Sequence, residues 1–141
     1  MRTFYVFKLN KNYKNILKKE PYNIFILLNS IYSYKNKDIL VAFDTFKEIC
    51  IPINKEFFNK YFYEKLKQYE EYTKFKDVHM YHNYFTGEES KMTIGISHIK
   101  IKSNDENNIF LNNMLEDLFI CDFKNNFYKV SSNYNKSIKI K

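Results

Sequence analysis

The chain has 141 residues, 45% of them hydrophobic and 19% aromatic, and 23 Lys and Arg against 16 Asp and Glu give it a net charge of +7. That length suits one domain with a core of its own, which needs neither disulfides nor a metal to fold. Gly87 and Gly95 are the only glycines. A P-loop, a dinucleotide fingerprint or a nucleophile elbow needs closely spaced glycines, so all three are excluded. Arg2 is the sole arginine and Ala42 the sole alanine. Such a Lys-, Asn-, Ile- and Tyr-rich composition reads as the coding bias of an AT-rich genome. The surplus charge permits nucleic-acid, acidic-protein or anionic-membrane partners and selects none.

Residues 2–9 read as a strand with Phe4 and Val6 on one face and Tyr5, Phe7 and Leu9 on the other. A strand apolar on both faces belongs inside a covered sheet. A first helix is expected over Asn10–Lys19, with Tyr13, Ile16 and Leu17 as its apolar positions. A second runs over Pro21–Tyr34, where Pro21 suits the first turn and Ile24, Leu27, Leu28 and Ile31 follow helical spacing. A third segment, Ile39–Ile51, ends before Pro52. Asn54 is placed to cap a fourth helix with Phe58, Tyr61, Phe62, Leu66 and Tyr69 inward.

Residues 73–85 and 91–102 read as the two arms of a hairpin joined by residues 86–90. Met92, Ile94 and Ile96 share one phase and Ile99 and Ile101 the other, which a bulge near Ser97–His98 would reconcile. Ser103 and Glu106 fit a capping box opening a last helix with a Phe110, Leu111, Met114, Leu115 and Leu118 stripe. Leu118–Phe123 repeats the two-faced strand signature, and residues 124–126 turn into Phe127–Val130. From Ser131 onward the chain is polar and basic. The expected class is α+β: one domain over residues 1–131, about five strands in a mixed or antiparallel sheet with helices on its faces, and a basic flexible tail over 132–141.

Little in the chain points to catalysis. Cys50 and Cys121 lie in separate apolar surroundings and read as buried small hydrophobes, with no zinc spacing and no disulfide framework. His79 and His82 fall on opposite faces of a strand, against a shared metal, and His98 stands alone. Asp44, Glu48 and Asp122 are carboxylates beside apolar residues, better suited to helix surfaces or strand ends than to an acid–base pair. No cofactor is expected. The N-terminus has no secretory pattern, and the apolar stretch around residues 24–31 is interrupted by Asn29 and Ser30, short of the roughly 20 residues that span a bilayer. A soluble, cytoplasmic protein is expected. Lysines do interleave with aromatics at Tyr13–Lys14, Tyr61–Lys67 and Tyr72–Lys76, a recipe for single-stranded nucleic acid. Most of those rings take core phase, however, and arginine is nearly absent.

The opening Arg2–Phe7, the segment Phe46–Ile53 and the closing Leu118–Phe123 with Asn125 and Tyr128 together resemble the sporulation inhibitor of replication family, SirA, in order and spacing across residues 2–130. The resemblance implies a small, monomeric cytosolic inhibitor of replication initiation. It would bind the N-terminal domain of the bacterial initiator DnaA and make no direct nucleic-acid or membrane contact. By the same resemblance the contact is made by the first helix, through Tyr13 and Leu17, and by the helix before Pro52, through Thr45 and Glu48. Three positions depart from the family pattern: Leu17 replaces an aromatic, Glu48 a tyrosine and Lys129 a tryptophan. The alternative reading is a basic nucleic-acid-binding module.

Overall fold

The residues at the N-terminus form strand β1 (Arg2–Leu9), and both of its faces are buried, as the alternation predicts. Phe4 and Val6 enter one hydrophobic core, Phe7 and Leu9 the other. The computed structural model describes residues 1–32 and 46–131. After β1 come α1 (Lys11–Lys19), α2 (Pro21–Tyr32), a helical stretch over residues 46–49, β2 (Cys50–Ile51) and α3 (Lys55–Leu66). There follow β3 (Tyr72–Phe75), β4 (Val78–His82), β5 (Glu89–Ile94), β6 (Ile99–Ser103), α4 (Ile109–Asn112), β7 (Phe119–Asp122) and β8 (Phe127–Val130).

These strands make one open sheet in the order β3-β4-β5-β6-β1-β7-β8, with β2 pairing to the end of β1. Every pairing is antiparallel. The first core packs α3 and α4 against one face through Phe58, Phe62, Leu66 and Phe110. On the other face, Ile24, Phe25 and Leu28 of α2 cover Phe7, Phe119 and Cys121. The α+β class therefore holds, with helices on both faces, but the sheet has eight strands rather than about five.

The three additional strands come from three places. Cys50 and Ile51, expected to end a helix, instead pair with Leu9 and Lys8. The single arm expected over 73–85 is two strands, since the chain reverses at Lys76–Asp77 between the paired Phe75 and Val78. Lys76 takes a positive φ of 55° there without any glycine to announce it. The arm expected over 91–102 is likewise β5 and β6. The phase change at residues 96–98 is a reverse turn, not a bulge: Ile94 faces Ile99 and Met92 faces Ile101, so all four enter the same core.

Two end effects differ as well. Ser103 belongs to β6, its hydroxyl bonded to that of Ser90 (2.8 Å) and accepting from the Asp105 N–H. The short α4 is capped by Asn108, whose side chain accepts from the Leu111 N–H at 3.0 Å. Asn54 caps α3 as expected, with Phe58, Phe62 and Leu66 buried, while Tyr69 lies beyond the helix and is exposed. Ser131 is buried: its hydroxyl accepts from the Leu118 N–H at 2.9 Å and donates to the Leu115 carbonyl.

One ion pair joins the two ends of the chain. Arg2 Nε donates to Asp122 Oδ2 at 2.8 Å and Nη1 reaches Glu106 at 3.3 Å. The guanidinium carbon also stands 4.9 Å from the Phe4 ring centre. The Asp122 side chain is only 1% exposed and is held further by the Asn125 amide at 2.7 Å. Asp122 is thus a structural carboxylate.

Two stability outcomes are expected. Arg2→Met leaves a buried carboxylate short of its cation and lowers stability by about 2 kcal/mol, less than for a fully buried pair because Arg2 is partly solvated; Asp122→Asn in the same chain recovers part of the loss. Gly95→Ala lowers the unfolding midpoint in denaturant, because the new Cβ would stand 2.9 Å from the His98 carbonyl oxygen. Such a clash with backbone costs about 1–3 kcal/mol.

Candidate functional site

The segments singled out by the resemblance meet at one end of β1. Asn10 ends the strand in extended conformation and caps α1, its side chain accepting from the Asn12 N–H at 3.2 Å. The same residue ties in the chain before β2. Its backbone N–H donates to the Ile49 carbonyl (2.7 Å) and its amide nitrogen to that of Glu48 (3.3 Å). The start of α1 and residues 46–49 therefore leave the sheet side by side.

On this junction Tyr13 is half-buried against the second core, one side of it toward solvent. Glu48 is exposed. Leu17 stands one turn beyond Tyr13 in α1, though its side chain is outside the described structure, and Thr45 lies outside the described residues. Phe46 packs edge-on to Phe7 with ring centres 5.9 Å apart, and Ile49 is buried. These two hold the short helical stretch against the sheet. Ile16, an expected core position, is 40% exposed on α1, and Tyr22, Ile26 and Leu27 are exposed on α2. The rise in apolar exposure along α1 and α2 was not legible from periodicity, because α2 is apolar around most of its circumference.

Glu20 links the two helices. Its N–H donates to the Ile16 carbonyl at the end of α1, and its carboxylate accepts from the Asn23 amide in the first turn of α2. Pro21 then starts α2 where no N–H is required. The two helices are thus joined through the single residue Glu20 rather than by a loop. The arrangement offers shape and apolar contact, with no reacting group.

Cys50 and Cys121 share the second core rather than occupying separate surroundings. Burial pushes the Cys50 thiol up to about 12, and burial together with the neighbouring Cys50 raises that of Cys121. Both are neutral thiols away from solvent. His79 is buried and His82 exposed, on opposite faces of β4 as the strand reading requires. His98 occupies the β5–β6 turn, bonded to Ser97 and edge-on to the Tyr5 ring at 5.3 Å; burial lowers its basicity. Among the described residues no group of three His, Cys, Asp or Glu could hold a metal.

His79 heads a polar chain: Tyr72 Oη to Nδ1 at 2.7 Å, Nε2 to Asn59 Oδ1 at 2.8 Å, and Asn59 Nδ2 to Asp77 at 2.8 Å. Lys55 completes it, 2.7 Å from Asp77. The carboxylate of Asp77 can only accept, so the Asn59 amide nitrogen must face it. Asn59 Oδ1 then accepts from His79 Nε2–H, and Nδ1 accepts from the Tyr72 hydroxyl. Burial, aided by Lys74, pulls His79 down to about 4, while burial pushes Tyr72 up to about 12. Neither group changes charge near neutrality, and the chain braces β3 and β4 against α3.

No family model matches the chain, and no curated protein does. Among the described residues no helix is long and apolar enough to cross a membrane.

The His79 arrangement sets an acid limit on stability. The unfolded chain takes up a proton near pH 6.5 that the folded one refuses until about 4. Stability is therefore full above 6.5 and falls as pH drops toward 4, by on the order of 3 kcal/mol. His79→Gln keeps a donor and an acceptor but does not titrate. In urea unfolding at a series of pH values, the variant is expected to lose markedly less stability than wild type between pH 6.5 and 4.

Proposed function

We propose that the chain is a non-catalytic regulator of replication initiation, a SirA-like protein that binds the N-terminal domain of the initiator DnaA in the cytoplasm. It acts as a monomer and occupies a surface that the initiator domain needs for its assembly partners. Tyr13 and Leu17 are the anchors on α1; Thr45 and Glu48 are the contacts from the segment before Pro52. The observation that carries the reading is the junction at Asn10, which brings α1 and residues 46–49 to one edge with Tyr13 partly open and Glu48 exposed. Two segments far apart in sequence, singled out by resemblance alone, are neighbours in space.

The energetics suit a small interface. A partly exposed tyrosine on a rigid helix loses little freedom on binding and can anchor with about 2 kcal/mol or more. Glu48 adds selectivity through charge rather than strength. The exposed Ile16 one turn from Tyr13 widens the apolar contact.

Titration calorimetry with the host's DnaA N-terminal domain tests the proposal. Tyr13→Ala is expected to weaken binding by roughly thirty-fold. Because Tyr13 also covers part of the core, Glu48→Lys serves as a second variant at an exposed position and should change affinity several-fold with an unchanged melting curve. An initiator domain that releases no heat and causes no shift in light scattering with the wild-type chain would end this reading.

A further inference from the structure

Among the described residues the helices cover the sheet unevenly. On the side that carries the second core, α2 lies over β1, β7 and β8, and Thr73, Met80, Lys91 and Lys102 of β3 to β6 are exposed. The pairing registers line these residues up: Thr73 faces Met80, Met80 faces Lys91, Lys91 faces Lys102 and Lys102 faces Thr3. The adjoining row runs Phe75, Val78, Thr93, Lys100 and Tyr5.

Lys91 and Lys102 therefore stand directly opposite each other, with Cβ atoms about 5 Å apart. Lys100 lies on the same face, about 7 Å along β6. Like charges in opposed positions destabilise a sheet. None of the ion pairs seen among the described residues involves Lys91, Lys100 or Lys102. A groove of about 540 Å³ runs past Met80, Lys91 and Lys102 to His82 and Tyr84. The same groove holds Glu70, Glu71 and Glu89, of which Glu89 stands two residues from Lys91 on the same face of β5 and 3.5 Å from His82.

Exposed aromatic rings stand toward the outer edge of the same half of the sheet. Phe75, 73% exposed, ends the second row with Lys76 over its ring at 5.5 Å. Tyr84 is exposed at the other corner, its ring 4.2 Å from that of His82. We infer that this open half of the sheet binds single-stranded nucleic acid, with Lys91, Lys100 and Lys102 on the phosphates and Phe75 as a stacking platform for a base. The three lysines suit an anion, and Phe75, left in water on the same face about 12 Å from Lys91, suits a base-bearing polyanion better than an acidic peptide. A flat sheet offers no helix or ribbon to enter a duplex groove, whereas exposed rings on a sheet suit splayed bases. A strand laid along Lys102 and Lys100 leads away from the carboxylates of the groove. This surface is separate from the α1 junction, so the inference does not rest on the regulator reading.

Fluorescence anisotropy of a labelled oligothymidine with the full chain tests it. Binding should weaken with salt at a log–log slope near −2, the value for about three phosphates on a single strand. Lys91→Gln with Lys102→Gln should flatten that slope by more than half, and the double charge reversal Lys91→Glu/Lys102→Glu should weaken binding at least about tenfold. Phe75→Ala should weaken it at least about fivefold. Lys60→Glu, exposed on α3, should change nothing. The inference is overturned if the oligonucleotide does not bind, or if Lys60→Glu costs as much as the sheet variants. It is also overturned if a duplex of the same length binds as tightly, or if polyglutamate displaces the oligonucleotide as well as unlabelled oligonucleotide does. Loss of DnaA binding leaves all these outcomes unmoved, because the two assays read different residues.

Discussion

Everything in this fold is organised around β1, a strand hydrogen-bonded along both edges and buried on both faces. β6 takes one edge through residues 2–6, β7 the other through residues 5–7, and β2 pairs with residues 8 and 9. A slip of one residue would exchange Phe4 and Val6 with Phe7 and Leu9 and spoil both cores at once. The register is further pinned at each end. Arg2 reaches across to Asp122, and Asn10 bonds to the carbonyls of Glu48 and Ile49. These polar ties cost little where they sit at the margins of the cores, and they decide which of many apolar pairings is made.

The strand's two-faced burial made it the most legible element in the sequence, and β7 was legible for the same reason. Helix α2 and the Asn54 cap of α3 were legible as well, because a proline at a first turn and an asparagine at a cap act locally. What could not be read were reversals without turn chemistry. Lys76–Asp77 carries no Asn-Gly or Gly signal, yet its neighbours pair across a two-residue turn. At residues 95–98 the phase change was visible but has two physical solutions, a bulge or a reversal. The second wins because it buries Met92, Ile94, Ile99 and Ile101 together. Cys50 and Ile51 are apolar under either periodicity, so only the free edge of β1 decides that they form a strand.

The candidate site was legible in a different sense. Tyr13 and Glu48 came from resemblance, and nothing in local pattern indicated that α1 and the chain before Pro52 would touch. The contact arises because β2 must run back along β1, which carries residues 46–49 to the point where α1 begins. Asn10 is the residue that could have signalled this. A cap-type side chain directly after a buried strand must satisfy helix N–H groups while its own amide seeks an acceptor, and the nearest one is the carbonyl of Glu48.

Uneven cover is the consequence of the same topology. Placing β1 between β6 and β7 puts α1 and α2 over one half of a face, while the meander β3 to β6 extends beyond it. The opposite face of that meander is fully used by α3 and α4, whose Phe58, Phe62 and Phe110 fill the first core. The outward face therefore needs no apolar residues for folding, and what stands there is free to reflect other demands. Coding bias can account for many lysines but not for three on one face of two paired strands, two of them directly opposed and none in an ion pair among the described residues. Nor does it leave Phe75 in water on the same face. A surface that lowers stability through its own charge and exposes a ring is one whose composition folding alone does not explain.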